Sequence, residues 1–161
     1  MGSARIVNAS PLIFLTQAGL IDVLREPGLD VIVPNVVIAE IGERGPTDPA
    51  VQAVRRRPWI LVSDASPIAG QVQTWSLDPG ESAVISLALS HPGSSAVLDD
   101  LAARRCARSL GIPLEGTLSL ILVAKQIGMI TAVRPVLESL RESGMYVSDR
   151  LIDLASSQAG E

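Results

Sequence analysis

The stretch SAVLDDLAARRCA, residues 95–107, predicts the type of fold. Its apolar residues around Val97 have the character of a buried strand, and a helical pattern follows Asp100. In open α/β sheets, ligands bind beyond the carboxyl ends of the strands, which is where Asp99 and Asp100 would stand. Two adjacent carboxylates repel each other unless a cation or a basic group compensates them. The pair therefore indicates a site at this edge.

The composition limits the class of protein. The chain has 161 residues, of which 47% are hydrophobic and 2% aromatic. We therefore expect one domain over residues 1–161 with an aliphatic core. Cys106 is the only cysteine, which excludes an internal disulfide and agrees with a cytoplasmic setting. No apolar run approaches the roughly 20 residues of a membrane span. The net charge of −4 means that nucleic-acid binding would need a local basic patch.

Short apolar runs alternate with helical patterns along the chain. Strands are predicted at residues 5–7, 30–33, 59–62, 96–98 and 113–115, with a β-like stretch after 145. Helices are predicted at residues 11–18, 20–25, 34–41, 51–57, 78–89, 101–111, 118–126, 133–142 and 149–156, the first capped by Ser10. Residues 64–74 have no clean period and are predicted to form a connection. This alternation predicts an α/β/α sandwich around a central parallel sheet.

Polar residues occur where the predicted strands end or the helices begin. They are Asn8, Ser10, Glu81, Asp99, Asp100, Glu115 and Thr117, and Glu40 approaches the same edge from its helix. Such a set of oxygen ligands, without cysteine or a usable histidine, favours Mg²⁺ or Mn²⁺ over zinc.

Each of these residues also has an ordinary structural explanation. Asp78 and Glu81 nearly match a capping box, which alone would explain both acids. Asp100 would cap its helix, and Glu40 would be a solvated helix charge. Taken singly, these explanations are favoured everywhere except at the adjacent pair of aspartates.

Several motifs together follow the order of a known family. They are residues 6–13 (IVNASPLI), the helix with Glu40, residues 79–84 (PGESAV), 98–100 (LDD), 103–104 (AR), 116–118 (GTL), 124–125 (AK) with Gly128, and 148–151 (SDRL). This order resembles that of a PIN domain, most closely the VapC-like subfamily formerly catalogued as a domain of unknown function. The resemblance covers nearly the whole chain and implies a ribonuclease fold that depends on Mg²⁺ or Mn²⁺.

The resemblance also implies roles for the acidic positions. Asn8, Glu40, Glu81 and Asp100 match the first to fourth positions, with Asp99 beside the fourth. All five would hold the metal, and Glu40, Glu81 and Asp100 would be the catalytic residues. The mechanism implied is an in-line attack on phosphorus by a water whose pKa the metal lowers.

Three further positions match the family, and one position differs from it. Ser10 and Thr117 match polar residues near the metal, and Arg104 would either contact a phosphate or, as we favour, pair with the neighbouring acids. The family usually has aspartate at the first acidic position, where this chain has Asn8. An amide oxygen can bind Mg²⁺ but brings no charge, so we expect a weaker metal site.

The sequence leaves three hypotheses for the function. The first is a metal-dependent endoribonuclease, the toxin half of a toxin–antitoxin pair, with an RNA substrate, an antitoxin protein as partner and a homodimeric state. The second is a catalytically silent PIN-like module that binds RNA or protein. The third is a receiver-like signalling domain with Asp99 or Asp100 as phosphoacceptor, although such domains carry an acidic pair after the first strand, where Asn8 stands.

Overall fold

A five-stranded parallel sheet forms the centre of the fold. The computed structural model describes residues 2–64 and 66–161. The strands are β1 (Ala4–Val7), β2 (Asp30–Pro34), β3 (Ile60–Ser63), β4 (Ser95–Val97) and β5 (Leu114–Glu115). Their order is β3-β2-β1-β4-β5, and every neighbouring pair is parallel. The predicted sheet is confirmed.

Helices connect the strands and flank the sheet. They are α1 (Ala9–Gln17), α2 (Asn35–Gly42), α3 (Pro49–Arg55), α4 (Gly70–Gln73), α5 (Pro79–Ser90), α6 (Leu101–Ser109), α7 (Thr117–Gln126), α8 (Val133–Glu142) and α9 (Asp149–Gln158). The α/β/α architecture is confirmed. Across residues 2–64 and 66–161, no helix combines the length and apolar character needed to cross a bilayer.

The central strands are mainly apolar because both faces of the sheet are covered, and Arg5, a buried charged residue of β1, pairs with Glu26 and Glu115. Every residue of β1 is buried, and so are Val31, Ile32 and Val33 of β2. Continuous apolar runs of this kind are typical of parallel strands between two helical layers. Helix α5 packs against β1, β2 and β4, so its first turn lies beside the carboxyl ends of the central strands.

Two predictions at the beginning of the chain are wrong in detail. The N-cap of α1 is Asn8, whose side chain forms no capping hydrogen bond, and Ser10 is already inside the helix. The helix starts earlier because β1 ends at Val7 and leads directly into it. The predicted helix over residues 20–25 is a short 3₁₀ helix, Ile21–Leu24.

Two further differences lie in the second half. The connection over residues 64–74 contains the one-turn helix α4. The β-like stretch after residue 145 is not a strand. Its alternation arises because Val147 is buried and Tyr146 is 97% exposed, but it pairs with neither edge strand of the described sheet.

Candidate functional site

The carboxyl edge of the sheet collects the polar residues predicted for the site. Asn8 directly follows β1, and Asp99 and Asp100 follow β4. Glu40 lies in α2, the helix that follows β2, and Thr117 begins α7 after β5. Because all the strands are parallel, these residues leave the sheet at the same edge.

Asn8 and Glu40 both face Gly80 of α5. Asn8 is 6% exposed, and its Oδ1 atom is buried without a hydrogen-bond partner in the described chain. A Cβ atom at Gly80 would lie 3.1 Å from that Oδ1 and 2.5 Å from Oε2 of Glu40. The two oxygens therefore approach the same point on α5, and only glycine leaves room for both.

Glu81 is the most strongly perturbed acid of this edge. Its residue is only 9% exposed, and its pKa is raised to about 7. Burial is the largest cause, followed by the negative charge of Asp100, with smaller contributions from Asp78 and Glu40. A hydrogen bond of 3.3 Å from the Asp78 N–H to Glu81 Oε2 partly opposes this shift. The charge of Asp100 therefore acts on the Glu81 carboxyl.

Glu40 responds to the same surroundings. Its pKa is raised by burial first, then by the charges of Asp78 and Glu43. Asp78 therefore acts on both glutamates as a further negative charge. We refer below to the side chains of Asn8, Glu40, Asp78, Glu81 and Asp100 as the edge cluster.

The two adjacent aspartates have different contacts. Asp100 is the N-cap of α6, and its Oδ2 atom accepts a hydrogen bond of 3.0 Å from the Ala103 N–H. Asp99 accepts from both the N–H and the hydroxyl of Thr117, at 2.8 Å and 2.6 Å. Asp100 is thus both a cap and a member of the edge cluster. Asp99 instead connects the end of β4 to the start of α7 through its hydrogen bonds with Thr117.

Arg104 does not pair with these aspartates. Its Nη1 atom donates to the backbone oxygens of Leu98, at 2.7 Å, and Glu115, at 3.2 Å. Among the described residues it forms no salt bridge with Asp99 or Asp100, so the favoured prediction of an ion pair is wrong. The carbonyl groups at the ends of β4 and β5 accept hydrogen bonds from the guanidinium instead. Its hydrogen bonds in the described chain use only Nη1.

Ser10 has no hydrogen bond that connects it to the acidic residues in the described ranges. It is half-buried as the second residue of α1, and its hydroxyl forms no hydrogen bond to the acids in the described ranges. Thr117, in contrast, is completely buried and bound to Asp99. The structure therefore supports a positioning role for Thr117 and shows none for Ser10.

Sequence reasoning missed Asp78 and Gly80. Asp78 was explained entirely as a helix cap, although a residue at the N-cap and one at N3, here Glu81, lie on the same side of a first turn. Gly80 carried a usable signal, because glycine inside a helix costs about 1 kcal/mol relative to alanine. Glycine occurs in a helix despite this cost where another group must approach the helix backbone closely.

The chemistry of the edge cluster fits a hard divalent cation. Its potential ligands are carboxylate and amide oxygens, and Oδ1 of Asn8 is a buried acceptor without a hydrogen-bond partner among the described residues. Within residues 2–64 and 66–161, however, no three Asp, Glu, His or Cys side chains form a ready-made ligand group. Mg²⁺ needs no such cage, because it is usually bound through one or two carboxylates and several waters.

Comparison with known proteins agrees with this architecture. A solved structure described as that of the PIN domain endonuclease Utp24 is similar, with a TM-score of 0.51 and 16% identity over 70% of this chain and 84% of that chain. No curated protein matches the chain. A family model described as PIN domain matches residues 4–161. The chain therefore belongs to the PIN domain family.

Proposed function

We propose that this protein is an endoribonuclease that uses Mg²⁺ or Mn²⁺ to cleave RNA phosphodiester bonds. The observation that carries the proposal is the buried, unpartnered Oδ1 of Asn8, which faces the Glu40 carboxylate across Gly80. A buried acceptor without a partner is costly, and a bound cation would satisfy it.

The edge cluster would hold the metal through Asn8, Glu40, Glu81 and Asp100, with Asp99 beside them. A divalent cation lowers the pKa of a bound water and offsets charge on the phosphoryl oxygens. The carboxylates repel one another without it, which contributes to the raised pKa of Glu81. Cation binding and loss of the Glu81 proton are therefore coupled, since metal ligands must be deprotonated.

Arg104 would contact a phosphate of the substrate. The protein has a formal net charge of −4, and the edge cluster itself repels phosphates. Two backbone carbonyls orient the Arg104 guanidinium through Nη1, and this atom lies near Asp99, since a Cβ at Gly116 would be 2.8 Å from Nη1 of Arg104 and 3.3 Å from Oδ1 of Asp99. A planar guanidinium has further N–H donors, which suit the paired oxygens of a phosphate. We assign Arg104 the role of binding a phosphate next to the one that is cleaved.

The test is cleavage of a labelled RNA with Mn²⁺ and with EDTA, by the parent and by Glu81→Gln. We expect cleavage by the parent only in Mn²⁺ and a loss of at least about a hundredfold in the variant. Equal cleavage by both proteins would show a contaminating nuclease and remove the support for this site.

A silent binding module is the second candidate. The neutral Asn8 at the first acidic position and the absence of a ready-made group of three ligands in the described ranges favour it. RNA binding without Mn²⁺-dependent cleavage would establish this alternative. The receiver-like hypothesis is wrong, because the chain belongs to the PIN domain family.

The biological setting is proposed from the resemblance to VapC-like proteins. We assign the protein to the toxin half of a toxin–antitoxin pair, acting in the cytoplasm as a homodimer that an antitoxin protein inhibits. Light scattering of the purified protein tests the homodimer. Growth arrest on expression, absent in the Glu81→Gln variant, tests the toxin role.

A further inference from the structure

A cavity of about 240 Å³ adjoins the edge cluster. It lies between the start of α2, the described residues Asp64, Ser66 and Ile68, and one side of α5. Its wall is mainly apolar and includes Val36, Ile68, Pro79, Ala83 and Leu87. We call it the side cavity.

The side cavity and the edge cluster share the first turn of α5. Pro79, Ala83 and Leu87 are spaced four residues apart and line the cavity from one face of the helix. The next residue after Pro79 is Gly80, which faces Asn8 and Glu40. Val36 also lines the cavity, and Glu40 of the edge cluster follows it by four residues on the same face of α2. A polymer that crosses the edge cluster would therefore have its neighbouring unit within reach of the side cavity.

The polar groups of the side cavity limit what it can bind. Asn35 and Asp64 are among its lining residues, the first with an amide and the second with a carboxylate. The carboxylate of Asp64 disfavours a phosphate, and the apolar wall would not solvate one. A volume of about 240 Å³ also lies below that of pockets for drug-sized ligands. A single flat ring system with polar edges meets these conditions.

We propose that the side cavity binds one base of the RNA substrate, next to the phosphate that is cleaved. This inference rests on the proposed function and adds a substrate preference to it. The carboxylate oxygens of Asp64 accept hydrogen bonds, so they favour a base with an exocyclic amino group. Adenine, cytosine and guanine carry that group, and uracil does not. The Asn35 amide both donates and accepts, and completes the recognition of the base edge.

The experiment uses RNAs that differ only in the bases around one cleavage site, with Mn²⁺ present. We expect a preference of about tenfold against uracil at one fixed position relative to the cut. Asp64→Asn introduces a donor and should reduce that preference. Ala83→Leu fills the cavity and should lower cleavage of the preferred RNA by about tenfold, with little change for the uracil-containing one. The control is Gln52→Leu, which lies in a separate cavity of about 380 Å³ near the C-terminal end of α1. This variant should cleave the preferred RNA and the uracil-containing RNA at the parent's rates.

A second measurement does not depend on cleavage. Adenosine, cytidine, guanosine and uridine carry no phosphate, so their binding is independent of the metal. We expect the first three to shift the methyl NMR signals of Val36, Ile68 and Leu87 more than uridine does, and Ala83→Leu to abolish the shifts. Cleavage without any base preference, or nucleosides that leave these methyl signals unchanged, would overturn the side-cavity proposal while the nuclease stands. Shifts without any cleavage would overturn the nuclease and leave the cavity as a base site of a silent module.

Discussion

Oδ1 of Asn8 and Oε2 of Glu40 face the same point on α5, at which Gly80 has no side chain. The positions of these oxygens, 3.1 Å and 2.5 Å from where a Cβ would lie, make Gly80 part of the site although it has no ligand atom. This relationship brings the end of β1 and the last turn of α2 to the first turn of α5, which also carries Glu81.

Replacing Gly80 by alanine should weaken Mn²⁺ binding by about tenfold, with little loss of stability. The new Cβ would displace the Glu40 carboxylate, which is the end of a flexible side chain, and alanine is the better helix former. Calorimetric titration with Mn²⁺ measures the effect. Gly42→Ala is the control, because a Cβ at Gly42 meets nothing within 4 Å. Equal Mn²⁺ affinities of the two variants would show that Gly80 does not contribute to the metal site.

The stability of the metal-free protein should fall as pH rises from 4.5 toward 7. The pKa of Glu81 is raised from 4.5 to about 7, so in this window the folded state retains a proton that the unfolded state has lost. The penalty is absent below pH 4.5 and complete above about 7, and it amounts to about 3 kcal/mol. The raised pKa of Glu40 adds a penalty of the same sign.

Glu81→Gln isolates this effect, because the amide stays neutral. Urea unfolding in EDTA should show the variant more stable than the parent at pH 8 and nearly equal to it at pH 4. Saturating Mn²⁺ should reverse the order at pH 8, since it stabilises only the parent appreciably. Parallel pH profiles would show that Glu81 ionises normally in the folded state.

The bonds between Asp99 and Thr117 should matter for stability more than for metal binding. Thr117→Val removes a buried hydroxyl that donates to the carboxylate at 2.6 Å, and we expect a loss of about 1–3 kcal/mol. Thermal unfolding is the measurement, and Thr131→Val, at an exposed position, is the control. A large loss of Mn²⁺ affinity with unchanged stability would instead make Asp99 chiefly a metal ligand.

Arg104→Lys should raise KM for RNA several-fold, with a smaller effect on kcat. Lysine keeps the charge but loses the planar arrangement that two carbonyl groups now orient. The neighbouring Arg105 is exposed, and Arg105→Lys serves as the control in the same cleavage assay. If both variants retain the parent KM, Arg104 only joins the ends of β4 and β5.

The sequence predicted the strands and the edge well because both depend on local pattern. The apolar run before Asp99 is a strand, and Asp100 caps the next helix as its position indicated. Contacts between distant segments were not predictable in the same way. One backbone carbonyl that binds Arg104 belongs to Leu98, directly after β4, and the other to Glu115, the last residue of β5; no sequence pattern indicates either contact. That the residues of the edge cluster bind a metal stays a prediction.

The approach of Asn8 and Glu40 to Gly80 is likewise a contact between distant segments that the sequence did not predict. A helical pattern places Glu40 on α2 but does not give the distance between α2 and α5. The proximity of Asn8 to both helices depends on sheet order, with β1 between β2 and β4. Only the packed structure shows that Oδ1 of Asn8, at the end of β1, has no hydrogen-bond partner in the described part of the chain.

The rate of RNA cleavage across a Mn²⁺ series, compared between the parent and Asn8→Asp, tests the central claim most directly. Asparagine and aspartate have nearly the same shape, so the change adds charge to a position next to Glu40 and Gly80. We expect Mn²⁺-dependent cleavage by both proteins, with half-maximal rate in the variant at about a tenth of the parent's Mn²⁺ concentration, or about 1.4 kcal/mol. The same half-maximal concentration in both would place Asn8 outside the metal site, and no Mn²⁺-dependent cleavage by either would contradict the nuclease.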